Sequence, residues 1–144
     1  MEIFTIGYTQ KSANEFFSLI LENNIEILLD IRLYNSSQLA GYTKSRDLQY
    51  FLKQICDCDY VYTPQFAPTK ELLDGYKSEK ITWSEYEIGY NNLIDTRNKL
   101  DIFNNYQGKR ICLLCAEVTP DRCHRRLLAE KVVTAYENIT VNHL

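Results

Sequence analysis

Apolar residues fall along this chain in short blocks that alternate between two periods. Ile3-Phe4-Thr5-Ile6 is a β-rich run closed by Gly7. Ser12, with Glu15 three residues on, has the form of a capping box. Phe16, Phe17, Leu19, Ile20 and Leu21 then supply the apolar side of a helix that Asn23-Asn24 ends. The run from Ile25 to Ile31, "IEILLDI", is nearly continuously apolar, as a buried parallel strand is. Residues 33–43 read as a loop rich in small polar side chains. Residues 44–55 have helical spacing, with Leu48, Phe51, Leu52 and Ile55 on one side. "DYVYTP" is a third strand stopped by Pro64, and "APTKELLDGYK" (67–77) a short helix beginning after Pro68. Thr82 caps a longer helix from Trp83 to about Asn104, with Glu85 at the right offset. "KRICLLCA" is a fourth strand, residues 120–137 a last helix and "ITVNHL" a short final strand.

Strands that alternate with helices predict an α/β protein: a three-layer α/β/α sandwich of Rossmann-like type, with a mostly parallel sheet of four to five strands. No repeat, low-complexity tract or linker divides the 144 residues, so a single domain over 1–144 is expected. At 45% hydrophobic and 24% charged residues the composition is that of an ordinary globular protein.

The bulk numbers also narrow the partners. No apolar run approaches the roughly 20 residues that a spanning helix needs, so no membrane partner is expected. A net charge of −3 gives no general field toward nucleic acid, which leaves only a local basic site for such a partner. Five cysteines, an odd number, and an opening without a secretory pattern point to a cytoplasmic protein with reduced thiols. The 11 tyrosines are expected at half-buried positions with their hydroxyls in water.

Ligands of open α/β sheets sit at the carboxyl ends of the strands. The first strand delivers Thr5, Gly7 and Tyr8 to that edge, the second Asp30 and Arg32, and the fourth Cys115 and Glu117. The turn after the fourth strand adds the start of the last helix. Thr119 fits its N-cap, Pro120 its first position and Asp121 the positive end of its dipole. Cys123 then lies in the first turn, where the dipole and arginines would lower a thiol's pKa. Read as helix, Cys123, His124, Arg125 and Arg126 point about 100 degrees apart, so they cannot form one cluster.

Two kinds of chemistry suit these residues. Arg32 with Arg125 or Arg126 and the helix amides would bind an anion. The plainer account is an ion-pair network, with Arg32 on Asp30 or Glu117 and Arg126 on Glu130. Cys115, Glu117, Cys123 and His124 are all metal-ligand types, but C-x-E-x5-C-H is not a zinc-finger spacing and adjacent helical ligands diverge, so no metal is expected. Cys112 and Cys115 face opposite sides of a strand and make no thioredoxin-like pair. Cys56 and Cys58 carry no expected role.

At these residues the sequence resembles the domain of unknown function 488 family. The resemblance rests on "TIGYT", "LLDIR", "APTKELLDGYK", "TWSEYEIGY", the closing "LLCAEVTPDRCHRRLLAE" and the terminal "HL". It implies a Rossmann-like α/β sandwich and no named reaction. Its signature falls on Thr5, Gly7, Asp30, Arg32, Cys115, Glu117, Cys123, His124 and Arg125. Tyr8 stands where the family typically has histidine.

Three functions compete. One is an enzyme acting on a phosphate-bearing or nucleotide-derived substrate, with Cys115 or Cys123 as nucleophile, or Glu117 with Asp30 in acid–base work. Thr5, Gly7, Tyr8, Arg32, His124, Arg125 and Arg126 would then bind the ligand. The second is a module that binds a nucleotide or a nucleic-acid end without turnover. The third is a structural polar network of Asp30, Arg32, Glu117 and His124, with function in partner contacts. No cofactor is named by the sequence.

Overall fold

The computed structural model describes residues 1–36 and 41–144. Five parallel strands form one sheet in the order β3-β2-β4-β1-β5: β1 Glu2–Gly7, β2 Ile27–Asp30, β3 Asp59–Tyr62, β4 Arg110–Cys115 and β5 Thr140–His143. The five α-helices among the described residues are α1 Ala13–Glu22, α2 Ser45–Cys56, α3 Lys70–Lys77, α4 Trp83–Arg97 and α5 His124–Ala135. The architecture is the three-layer α/β/α sandwich that the alternation of elements predicts. Within the predicted loop 33–43, Gly41–Thr43 form a short 3-10 turn, and residues 37–40 lie outside the described residues.

Strand alternation divides the core in two. Phe4, Ile6, Leu28, Cys112 and Leu114 pack against α1 and α2. Ile3, Leu29, Ile111 and Leu113 face the opposite way, against α4 and α5. Cys112 and Cys115 therefore lie on opposite faces of the sheet, as the strand period requires.

This division creates the crevice. The chain leaves β1 and β2 toward α1 and α2, but leaves β4 toward α5 on the other face. β4 lies between β1 and β2. Its carboxyl end, Cys115, is thus flanked on both sides by chain departing the opposite way, which is where α/β sheets open a binding site.

Two helix boundaries and one helix cap differ from the sequence reading. The helix from Trp83 stops at Arg97 because Asn98 adopts a left-handed conformation (φ 49°), and a 3-10 segment, Leu100–Tyr106, follows. Thr82 makes the full capping box with Glu85, whereas Ser12 makes only the half in which its side chain accepts from the Glu15 amide. The last helix does not begin at Pro120. It begins at His124, with Cys123 as an extended N-cap (φ −141°, ψ 140°). Thr119, Pro120 and Asp121 are a good local helix start, but tertiary contacts take their stretch elsewhere. Arg125 draws in the Glu117 and Val118 carbonyls, Arg126 holds the Asp121 carbonyl, and a Cys123 N–H to Pro120 carbonyl bond closes a separate turn.

The loop from Ala116 to Cys123 is also seated on β1. Tyr8 and Thr9 amides donate to the Cys115 and Ala116 carbonyls, extending the β1–β4 pairing past the sheet. Gly7 makes this approach possible: a Cβ there would stand 1.6 Å from the Glu117 carbonyl oxygen and 2.8 Å from Arg125 Nη1. Backbone cannot yield as a flexible side chain would. Gly7→Ala is therefore expected to destabilise the protein by about 1–3 kcal/mol or more through overpacking, seen as a lower thermal midpoint with the α-helical circular dichroism retained below it.

Candidate functional site

A cavity of about 260 Å³ opens at the carboxyl end of β4. Its floor is Cys115, Cys123 and His124, all buried. Its walls are aromatic: Tyr8 on one side, Tyr76, Trp83 and Tyr86 on the other. Glu117 is the only carboxylate among the described lining residues, and its side chain is exposed. Arg122 and Lys77 stand at the margin, both exposed and without an ion-pair or hydrogen-bond partner among the described residues. Tyr76, Lys77, Trp83 and Arg122 also line a more open groove of about 670 Å³, so the two spaces adjoin.

The floor owes its geometry to the late helix start. Because Cys123 is extended, its side chain is released from the helical 100-degree spacing and faces Cys115 together with His124. The three ligand atoms lie within 4.8 Å of one another. His124 Nδ1 is 3.5 Å from Cys115 Sγ. His124 Nε2 lies 2.8 Å from the Ile31 carbonyl, which can only accept, so Nε2 carries a proton; Nε2 is also 3.9 Å from Cys115 Sγ, which therefore sits against the face of the ring. The Tyr90 ring packs on the imidazole at 5.3 Å between centroids, and Tyr90 is itself fixed by donating to the Phe66 carbonyl at 2.7 Å. The expectation that Cys123 and His124 diverge is thus corrected.

The five thiols differ sharply. Burial pushes Cys58 up to about 12 and Cys112 well above the ordinary range, and raises Cys56 too. Burial acts the same way on Cys115. There it is outweighed by the hydrogen bond from Cys123, the Ala116 and Glu117 amides and the Arg125 charge, so Cys115 lies below the usual thiol value. Cys123 is held well above it, by burial and by donating to Cys115. The low thiol is therefore Cys115 at the strand end, whereas the dipole argument had favoured Cys123.

The arginines expected to bind an anion are engaged in structure. Arg32 makes a bidentate pair with Asp30, Nε and Nη2 each at 2.8 Å from a carboxylate oxygen, and donates again to the Thr43 carbonyl. Burial works against the Arg32 charge, and Asp30 more than offsets it, raising the guanidinium pKa. Tyr60 donates to the remaining side of Asp30 at 2.6 Å. Asp30 is fully buried and fully occupied, which removes it from acid–base work. Arg125, also fully buried, donates to the Glu117 and Val118 carbonyls and to Thr5 Oγ1. Thr5 in turn meets His143 Nδ1 at 2.6 Å. Arg126 pairs with Glu130 at helical spacing, 2.7 Å. Thr5, Gly7, Asp30, Arg32, Arg125 and Arg126 therefore build the frame of the site. The residues that face its space are Tyr8, Cys115, Glu117, Cys123 and His124, with Arg32 presenting an edge under the Tyr8 ring, 5.4 Å from its centroid.

Sequence reasoning missed Arg122, Lys77 and the Tyr76–Trp83–Tyr86 wall. Arg122 was concealed by the assumed helix start. The wall comes from α3 and α4, about 30 to 40 residues earlier in the chain, and only the fold brings it to Cys115.

Residues 12–132 match the family described as Domain of unknown function DUF488. The chain belongs to this family. The matched span contains α1 through most of α5, including the Cys115–Arg126 segment, and leaves the "TIGYT" opening and terminal His143-Leu144 outside it. No curated protein and no solved structure matches the chain. The DUF488 description names no reaction, so function must be argued from the site. No helix among the described residues is long and apolar enough to cross a membrane.

Proposed function

We propose that this DUF488 protein is an enzyme acting on a small phosphate-bearing or nucleotide-derived substrate in the cavity at the end of β4. One observation carries the reading: two cations without a partner among the described residues, Arg122 and Lys77, stand at the margin of an aromatic-walled cavity whose floor is Cys115, Cys123 and His124. Unpaired guanidinium and ammonium groups offer hydrogen bonds to phosphate that are not already committed to a carboxylate. The faces of Tyr76 and Trp83 suit a planar base or sugar. The reactive end of the substrate meets the Cys115–Cys123–His124 floor, and Glu117 is the carboxylate at hand to move a proton.

The test is a binding screen of nucleotides and phosphorylated small molecules by calorimetry, followed by product analysis. Arg122→Ala and Lys77→Ala are each expected to weaken binding about 10- to 100-fold, the range of one lost charge-assisted hydrogen bond. Both side chains are exposed, so neither change should lower the thermal midpoint measurably. Binding that is indifferent to both substitutions would exclude this placement of the substrate. Tight binding with no product would make the protein a binding module instead.

A further inference from the structure

We infer that Cys115, Cys123 and His124 form a binding site for one zinc-class divalent metal ion, with its fourth coordination position open to the cavity. The inference rests on the reading of this cavity as the active site for its function, but its geometry is independent of any substrate. Two cysteine sulfurs and an imidazole nitrogen are the donor set of a borderline-soft ion such as Zn²⁺, and three protein ligands with one open position is the catalytic form of such sites. Cys115 Sγ lies 3.5 Å from His124 Nδ1 and 3.9 Å from Nε2, against the ring face, so a turn of the Cys115 side chain toward the Nδ1 lone pair accompanies binding of the ion. All three ligand atoms lie within 4.8 Å of one another, and all three residues are buried.

The surroundings fit as well. A metal-binding histidine usually donates its other ring N–H to a carbonyl or carboxylate, and His124 Nε2 is committed to the Ile31 carbonyl at 2.8 Å. The Tyr90 ring packs against the imidazole at a 55° tilt and limits its rotation. The ligands come from two elements held firmly together, the end of β4 and the N-cap of α5. Two thiolates would balance the charge of the ion. With both sulfurs engaged as ligands, neither is the nucleophile. The open position then takes water or a substrate oxygen, beside Glu117 on the cavity wall.

The test uses the full chain, reduced and metal-free, titrated anaerobically with Co²⁺. The expected result is one equivalent bound, with thiolate-to-cobalt charge-transfer absorption and the visible bands of a tetrahedral site, displaced by Zn²⁺. Cys123→Ser and His124→Asn should each weaken binding at least about 100-fold, since even losing a hydrogen-bond partner of a ligand costs 10- to 100-fold. Cys56→Ser, away from the cluster, should bind as the unaltered protein does. A folded wild-type chain that gives no charge-transfer band overturns the inference, whatever the variants do. So does a band that survives in both Cys123→Ser and His124→Asn. Phosphate-ligand binding sensitive to Arg122 but without cobalt binding would refute the metal and leave the substrate reading standing. Cobalt binding with no phosphate-bearing ligand would do the reverse.

Discussion

Asp30→Ala is expected to destabilise the protein by about 3–5 kcal/mol, the range for breaking a buried ion pair from one side. Arg32 is only 3% exposed, and Asp30 receives both of its bidentate donors. Removing the carboxylate leaves a desolvated guanidinium with the Thr43 carbonyl alone, and strands the Tyr60 hydroxyl as well. Removing both charges should cost less than removing one. Asp30→Leu with Arg32→Met would recover part of the loss if the cost lies in the orphaned charge. Urea unfolding of the single and double variants measures this. A double variant no more stable than Asp30→Ala would show that the pair does more than neutralise itself. Because Arg32 also underlies the Tyr8 ring at the cavity wall, the single variant should loosen the site along with the fold.

Arg125→Lys, conservative by charge, is expected to cost about 2–3 kcal/mol, and Arg125→Met more. The fully buried guanidinium donates in three directions, to the Glu117 and Val118 carbonyls and to Thr5 Oγ1. A lysine ammonium lacks the planar fork that reaches all three, and each hydrogen bond from a charged group is worth about 1.5–3 kcal/mol. The consequence is local before it is global. Arg125 pins the loop that carries Cys115 into Cys123, so its loss should raise amide hydrogen exchange over 116–123 more than over β1 or β2. Uniform exchange increases across the sheet would instead make Arg125 an ordinary core residue. Either variant should also weaken cobalt binding, through misplacement of Cys123 relative to Cys115.

The sheet was legible because its strands are short apolar runs with turn residues between them, and the alternation of 111, 113, 115 against 112, 114 already separates Cys115 from Cys112. The carboxyl edge as the place for ligands was legible from the strand–helix alternation, but the crevice at β4 depends on the strand order, which the alternation does not give. The floor of the site was not legible. Thr119-Pro120-Asp121 is locally a better helix start than Cys123, and local preference placed Cys123 on the helix. The contacts that delay the helix run from Arg125 and Arg126 back to carbonyls five to eight residues earlier, and no period in the sequence records them. That shift decides the chemistry, since it lets Cys123 and His124 face Cys115 together. The arginine-rich signature misled for a related reason. Residue type marked Arg32, Arg125 and Arg126 as anion binders, but each has a partner within the fold, whereas Arg122, which lines the cavity, has none among the described residues. Tyr8 keeps a place on the cavity wall, where its ring covers Arg32.

The most direct test of the central claim, that the cavity at the end of β4 receives a phosphate-bearing substrate, is a crystal structure of the wild-type protein soaked with a library of nucleotides and phosphorylated fragments. The account predicts ligand density in this cavity, with phosphate oxygens on Arg122 and Lys77, the planar body against Trp83 and Tyr76, and the far end directed at Cys115. Fragments that occupy other surfaces while this cavity stays free of them would contradict it.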